Sequence, residues 1–350
     1  MLTEAQKITL IRGQANAGIV EAQYTLGVMY SEGVGLPQDE AQATIWFRKA
    51  AKQGYADAQC TLGAMYRDGQ GVPQDHAQAA KWLEKAAEQG DALAQCSLGV
   101  MYATGQAVPK DDAQAVAWLQ KAAEQGHADV QFNLGARYAT GQGVPQNYAQ
   151  AAKWLKKAAE QGDARAQLRI GVMYQGGLAV PQDYAQAAKW LEKAAEQGDV
   201  VAQFRLGVMY ATGQGVPQNY AQAVKWLREA AEQGHADAQF TLGAMCRDGQ
   251  CVPQDHAQAV AWYRKAAEQG FPNAQYNLGV MYENGQGVPQ DAISAYMWLS
   301  LSAARGAGES QIQATTQRDA IAKTMTPAQL AEAQTLSGEW FAAFQKRGGK

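Results

Sequence analysis

The amino-acid sequence predicts an all-α solenoid of eight 36-residue helix–loop–helix repeats, closed at its ends by capping helices. Three observations lead there. One phrase recurs along the chain: A-Q-x-x-L-G-x-M-Y, then G-x-G-V-P-Q-D, then A-Q-A-x-x-W-x-x-K-A-A-E-Q-G. Its proline falls at Pro37, Pro73, Pro109, Pro145, Pro181, Pro217, Pro253 and Pro289, with no insertion or deletion between Ile19 and Gly306. Within each repeat, the apolar residues fall at helical spacing. A strict period of this kind means that small units stack in a row, and such a chain presents a long surface rather than a closed pocket.

The second repeat, Tyr55 to Gly90, serves for all. Ala58, Leu62, Met65 and Tyr66 lie at i, i+4, i+7 and i+8, one face of a first helix, helix A. The position before it is Asp in three repeats (Asp91, Asp163, Asp199), a good N-cap, and Pro272 stands at the first helical position of the last. The loop Gly69-Gln70-Gly71-Val72-Pro73-Gln74 must turn, because its glycines allow positive φ and its proline cannot continue a helix. Helix B then starts after Asp75, with Gln78 placed for a capping box, and every repeat has Asp or Asn at that position. Ala79, Trp82, Leu83 and Ala86 supply its inner face, and Gly90 ends it in the left-handed region.

Helices of about 12 residues do not persist alone in water, so stacking must supply the stability. Trp46, Trp82, Trp118, Trp154, Trp190, Trp226, Trp262 and Trp298 recur at one position and are assigned to the structural core. Gln23, Gln59 and their equivalents recur at the edge of the core stripe and are expected to bond a neighbouring backbone group.

These residues resemble the Sel1-like repeat, a relative of the tetratricopeptide repeat with a longer loop. The carriers are A-x-A-Q-x-x-L-G-x-M-Y, G-x-G-V-P-x-D and the W-x-x-K-A-A-x-x-G close, over Ile19 to Gly306. The resemblance implies a right-handed superhelix and an organisation in three parts. Residues 1–18 would form an N-terminal capping helix, centred on Glu4 to Ala17. Residues 19–306 would form the repeats (19–54, 55–90, 91–126, 127–162, 163–198, 199–234, 235–270, 271–306). Residues 307–350 would form C-terminal capping helices, one around Gln311 to Lys323 and one starting at Thr326-Pro327 with Gln329 closing a capping box. Leu330, Ala333, Leu336, Trp340 and Phe344 would be the apolar stripe of the last helix.

Composition narrows the function. The formal net charge is −3, which argues against nucleic acid or an anionic membrane as partner. No apolar run approaches the ~20 residues of a membrane span. Met1-Leu2-Thr3-Glu4 lacks the basic and apolar regions of a signal peptide, so a cytoplasmic location is expected. Of the four cysteines, Cys60 and Cys96 read as buried small hydrophobes, while Cys246 and Cys251 flank a short loop and could approach each other. His76, His127, His235 and His256 fall in no metal-ligand spacing, no serine sits in a nucleophile motif, and G-Q-G-V-P lacks the G-K-[ST] of a phosphate loop. No catalytic residue, metal or cofactor is therefore expected. Some cysteine-rich relatives have been linked to β-lactam binding or hydrolysis, but neither their cysteine framework nor a nucleophile motif is present here.

The favoured reading is a non-catalytic scaffold or adaptor, monomeric, that binds a protein or peptide segment, as in a bacterial signalling or envelope and secretion pathway. Helix A positions 3, 6, 7, 10, 13 and 14, counted from the residue after the repeat-ending glycine, oppose the core stripe and vary between repeats. By the resemblance, this face lines a concave groove. Arg165, Arg169 and Arg205, with Leu168, Val201 and Phe204 around them and Asn133 and Thr241 on either side, form the candidate site for an acidic or carboxylate-bearing peptide.

Overall fold

A computed structural model describes residues 3–250 and 253–348, which contain nineteen helices and no strand. Helix α1 (Glu4–Asn16) precedes the repeats. Each repeat then contributes an A and a B helix: α2 (Val20–Glu32) and α3 (Glu40–Lys52), α4 (Ala56–Asp68) and α5 (His76–Glu88), α6 (Ala92–Thr104) and α7 (Asp112–Glu124), α8 (Ala128–Thr140) and α9 (Tyr148–Glu160). The series continues with α10 (Ala164–Gly176) and α11 (Tyr184–Glu196), α12 (Val200–Thr212) and α13 (Tyr220–Glu232), α14 (Ala236–Asp248) and α15 (His256–Glu268), α16 (Pro272–Asn284) and α17 (Ala292–Arg305). Helices α18 (Gly308–Ala322) and α19 (Pro327–Lys346) follow. The chain divides into two compact units. One extends to Ile170 and takes in Leu178–Val180; the other comprises Gly171–Gly177 and the chain from Pro181.

Local chemistry sets the helix ends. Asp91, Asp163 and Asp199 accept from the N–H three residues on, as expected of N-caps. His235 does the same through Nδ1 at 3.3 Å. At the start of helix B the predicted capping box is only half made. Asp75 accepts from the Gln78 N–H at 2.9 Å, but its own N–H donates to the Tyr66 carbonyl and is not free for the Gln78 side chain. That cross-loop bond recurs in every repeat, from Asp39 with Tyr30 to Asp291 with Tyr282, and ties helix B to the end of helix A. The full box does form at Thr326, where no such bond competes. The loop glutamine adds a clamp: Gln74 Nε2 donates to the Arg67 carbonyl at 2.8 Å, satisfying a group left open by the end of helix A.

In five of the eight repeats two glycines permit close approach. A Cβ at Gly63, mid-helix in α4, would lie 2.7 Å from Leu83 Cγ, so α4 and α5 touch there backbone to side chain. Gly71 adopts φ +66°, and a Cβ would meet the Glu40 carbonyl oxygen of α3 at 2.5 Å, which joins the loop to the preceding repeat. The equivalent residues Ala107 and Ala179 also take positive φ, +66° and +60°, a conformation that costs an L-residue about 1 kcal/mol.

The core runs between repeats as much as within them. Helix B of one repeat packs on helix A of the next: Leu83 and Ala86 of α5 cluster with Ala94, Leu98 and Met101 of α6, and Trp118 of α7 reaches back onto them. Burial corrects the reading of the tryptophans as uniform core. Trp46, Trp154, Trp226 and Trp298 are buried, whereas Trp82, Trp118, Trp190 and Trp262 are half-buried. Leucine or tyrosine at the next position (Leu83, Leu119, Leu191, Tyr263) occupies the deepest place on helix B instead. The open side of the rings is covered by lysine one turn on, as with Lys85 over Trp82 at 4.7 Å and Lys121 over Trp118 at 4.2 Å.

The tail stripe is also shifted. Ala333 and Phe344 are buried, but Leu336 is exposed, and Phe341 packs on the final core cluster beside Trp340. At about 100° per residue, Ala333, Trp340, Phe341 and Phe344 fall within an arc of about 100°, and Leu336 lies about 40° beyond its edge. Trp340 meets Trp298 edge-on at 5.9 Å and stacks on Phe344 at 5.0 Å, covering the last repeat.

Candidate protein-interaction surface

A polar frame repeats almost unchanged. Gln59, read as lying at the core edge, is 4 % exposed. Its Nε2 donates to the Ala51 carbonyl of the preceding helix B at 3.0 Å, and its Oε1 accepts from Gln89 Nε2 at 2.8 Å. Gln23, Gln95, Gln131, Gln203 and Gln239 make the same pair of bonds. One side chain thus stitches three helices, which fixes each repeat against the last.

With Gln and Gly of helix A also buried, the surface left for other molecules is its far side. Position 3 is exposed in Asp57, Leu93, Asp129, Arg165, Val201, Asp237 and Asn273. Position 6 is half-buried, because Cys60 and Phe204 pack toward the next repeat. Burial pushes the Cys60 thiol up to about 12, with Asp91 adding to it, and also raises those of Cys96 and Cys246. None is a thiolate nucleophile at neutral pH. Cys251 lies outside the described residues, and with it the predicted approach to Cys246.

The eight candidate residues divide between the two compact units. In the first, Arg165 is already engaged: its Nη2 stands 2.6 Å from Asp129 Oδ1 and 2.6 Å from Asp163 Oδ2, and its guanidinium lies 4.3 Å over the Phe132 ring. Burial alone would raise the Asp163 carboxyl, but bonds from Arg165 and the Ala166 N–H hold it below its ordinary value. Leu168 is half-buried. Arg169 is exposed, makes no hydrogen bond or ion pair with a described residue, and borders a small recess with Ala136, Ala139, Thr140 and Leu155. Asn133 is exposed on an adjoining recess that shares Ala136 and Thr140. In the second unit Arg205 is half-buried and donates to Gln175 Oε1 at 2.9 Å. Phe204 stacks on His235 at 4.7 Å, Val201 is exposed, and the Thr241 hydroxyl bonds the Asp237 carbonyl of its own helix at 2.7 Å.

Arg137 is a further polar residue of this surface that the repeat pattern does not single out. It stands where the other repeats have methionine (Met29, Met65, Met101, Met173, Met209, Met245, Met281), so the signal was a single break in the motif. Its side chain keeps 15 % exposure, and Nη1 lies 3.6 Å from Asp112 Oδ1 of the preceding helix B. Both atoms are buried without a hydrogen bond. Arg137 lines a recess of about 340 Å³ with Val100, Leu119, Asn133, Ala136, Thr140 and Gln142. Among the described residues no group of His, Cys, Asp and Glu could hold a metal ion, and no helix is long and apolar enough to cross a membrane.

Paired helices of 13 or 14 residues, joined by loops of one pattern and packed helix B on the following helix A, define a helix-pair solenoid protein. The Sel1 repeat matches residues 20–55, 56–91, 92–127, 128–163, 164–199, 200–235, 236–271 and 272–306, and the chain belongs to the Sel1 repeat family. It is similar to the Sel1 repeat protein of Oxalobacter formigenes, with 36% identity over 88% of this chain and 89% of that one, at a TM-score of 0.65. It is also similar to c5321, a protective antigen present in uropathogenic Escherichia coli strains and displaying the same repeat fold. There the identity is 34%, over 98% of this chain and 90% of that one, at a TM-score of 0.58. No curated protein gives a match. Proteins built of such repeats generally mediate protein–protein interaction.

Proposed function

We propose that this chain is a non-catalytic scaffold that holds a peptide segment of a partner protein against the outer faces of its A helices. The observation that carries the reading is the contrast between frame and face. The buried Gln, Gly and Leu of helix A recur, while the far side changes from repeat to repeat and leaves large apolar groups in water: Leu93 is 65%, Val100 48% and Val201 40% exposed. Apolar groups of that size on an otherwise polar surface suit a partner that covers them. Arg169, with no partner of its own, suits an acidic segment.

Photo-crosslinking side chains placed at Leu93 and Val201, and for comparison at Lys81 and Lys189 on the outside of helix B, test this in lysate of the source organism. Discrete partner adducts are expected from the first two positions, and the yield at Leu93 is expected to fall with Arg169→Glu. Equal labelling from Lys81 and Lys189 would overturn the assignment of the face.

A further inference from the structure

We infer that the recess over Arg137 is a carboxylate-binding pocket that takes the acidic side chain of a bound peptide; this rests on the interaction reading above and gives it an anchor. A charge in a core slot is costly unless something compensates it, and methionine fills the same slot in every other repeat. The compensation inside the protein is incomplete. The guanidinium makes no hydrogen bond to a described residue, and its ion pair with Asp112, at 3.6 Å, is too long for one. Nη1 is enclosed against Asp112, while Nε and Nη2 make no hydrogen bond to a described residue and leave their donors unspent beside a recess of about 340 Å³.

The walls fit a carboxylate attached to an apolar chain. Asn133 and Gln142 bring side-chain amides, and Val100 and Leu119 bring apolar surface. Leu93 and Val100, two turns apart on α6, leave an exposed apolar strip that leads to the recess. The charge balance selects the anion. Arg137 faces Asp112, and Lys110 stands 3.6 Å from the same carboxylate, so one further negative charge is accommodated. A phosphate of charge near −2 would meet the Asp112 carboxylate at close range. The pocket therefore prefers glutamate or aspartate flanked by apolar residues.

The test follows the side-chain amide NMR signals of Asn133 and Gln142 in the full chain as blocked glutamate (N-acetylglutamic acid amide) and then Ac-Leu-Ala-Glu-Leu-NH2 are added. Saturable shifts are expected with both, at least tenfold tighter for the peptide, and none with the glutamine counterparts. The paired change Asp112→Tyr with Arg137→Met, which reproduces Tyr184 and Met209 of another repeat and leaves no buried carboxylate unpaired, should remove the shifts while the melting temperature stays level or rises. Equal shifts with glutamine, shifts that survive the paired change, or a melting temperature lowered by it would each overturn the pocket, the last by showing the Asp112–Arg137 pair to be structural. Equal affinity for blocked glutamate and peptide would overturn the peptide as occupant in favour of a free carboxylate. Partner adducts at Leu93 that persist through such a failure leave the interaction reading standing.

Discussion

The third and fourth repeats put different side chains into one slot on the same backbone. Helix α6 ends at Gly105 with φ +73° and α8 at Gly141 with φ +75°, and both glycine N–H groups donate back to the slot residue at 2.9 Å. In α6 that residue is Met101, 1% exposed among Leu83 and Leu98. In α8 it is Arg137. What differs in support is the first residue of the preceding helix B. His76 of α5 makes its contact with Gln106, whereas Asp112 of α7 faces Arg137. In the one repeat whose slot holds a cation, the preceding repeat supplies a carboxylate, so the two positions are coupled across a repeat boundary.

Copying the charge without its counter-ion should break this comparison most sharply. Met101→Arg places a guanidinium where no carboxylate faces it and is expected to cost ~3–5 kcal/mol, read by denaturant unfolding. A loss under about 1 kcal/mol would mean that the slot opens freely to water.

The tryptophans test whether burial or mere position sets their value. Trp154→Ala, from 3% exposure, should cost ~3–5 kcal/mol, and Trp190→Ala, from a half-buried ring under Lys193 at 4.6 Å, about half as much. Equal losses in the two variants would show that the lysine-covered rings matter as fully as the enclosed ones.

Arg165 offers a gentler probe of charge between repeats. The Asp163 carboxyl is held below its ordinary value, so its contribution to stability is full above about pH 4 and fades as pH falls through the lowered value. Arg165→Gln should lower stability at pH 7 by ~1 kcal/mol and flatten the acid limb of the stability curve. An unchanged acid limb would mean that the Ala166 N–H alone holds Asp163 down. The smallest effect is expected from Ala107→Gly, which relieves a positive φ and should stabilise by ~0.5–1 kcal/mol in thermal unfolding. A destabilised variant would show that the flexibility gained in the unfolded chain outweighs the strain removed.

The period, the helix pairs, the N-cap aspartates and the loop turn could all be read from the sequence, because each depends on neighbours a few residues away. Eight copies averaged out the ambiguity that one would carry. The sequence also marked Arg165 and Arg169 as unusual, yet it could not show that Arg165 is consumed by Asp129, a residue 36 positions earlier. Separations of 30 and 25 positions likewise hid the bond from Gln89 to Gln59 and the pairing of Arg137 with Asp112. Local pattern determined which helices form and where they end. Only the packing of one repeat on the next decided which tryptophans are enclosed, which arginines are spent and which remain open to a partner, since burial and ion pairing depend on distances in space that a linear period leaves unspecified.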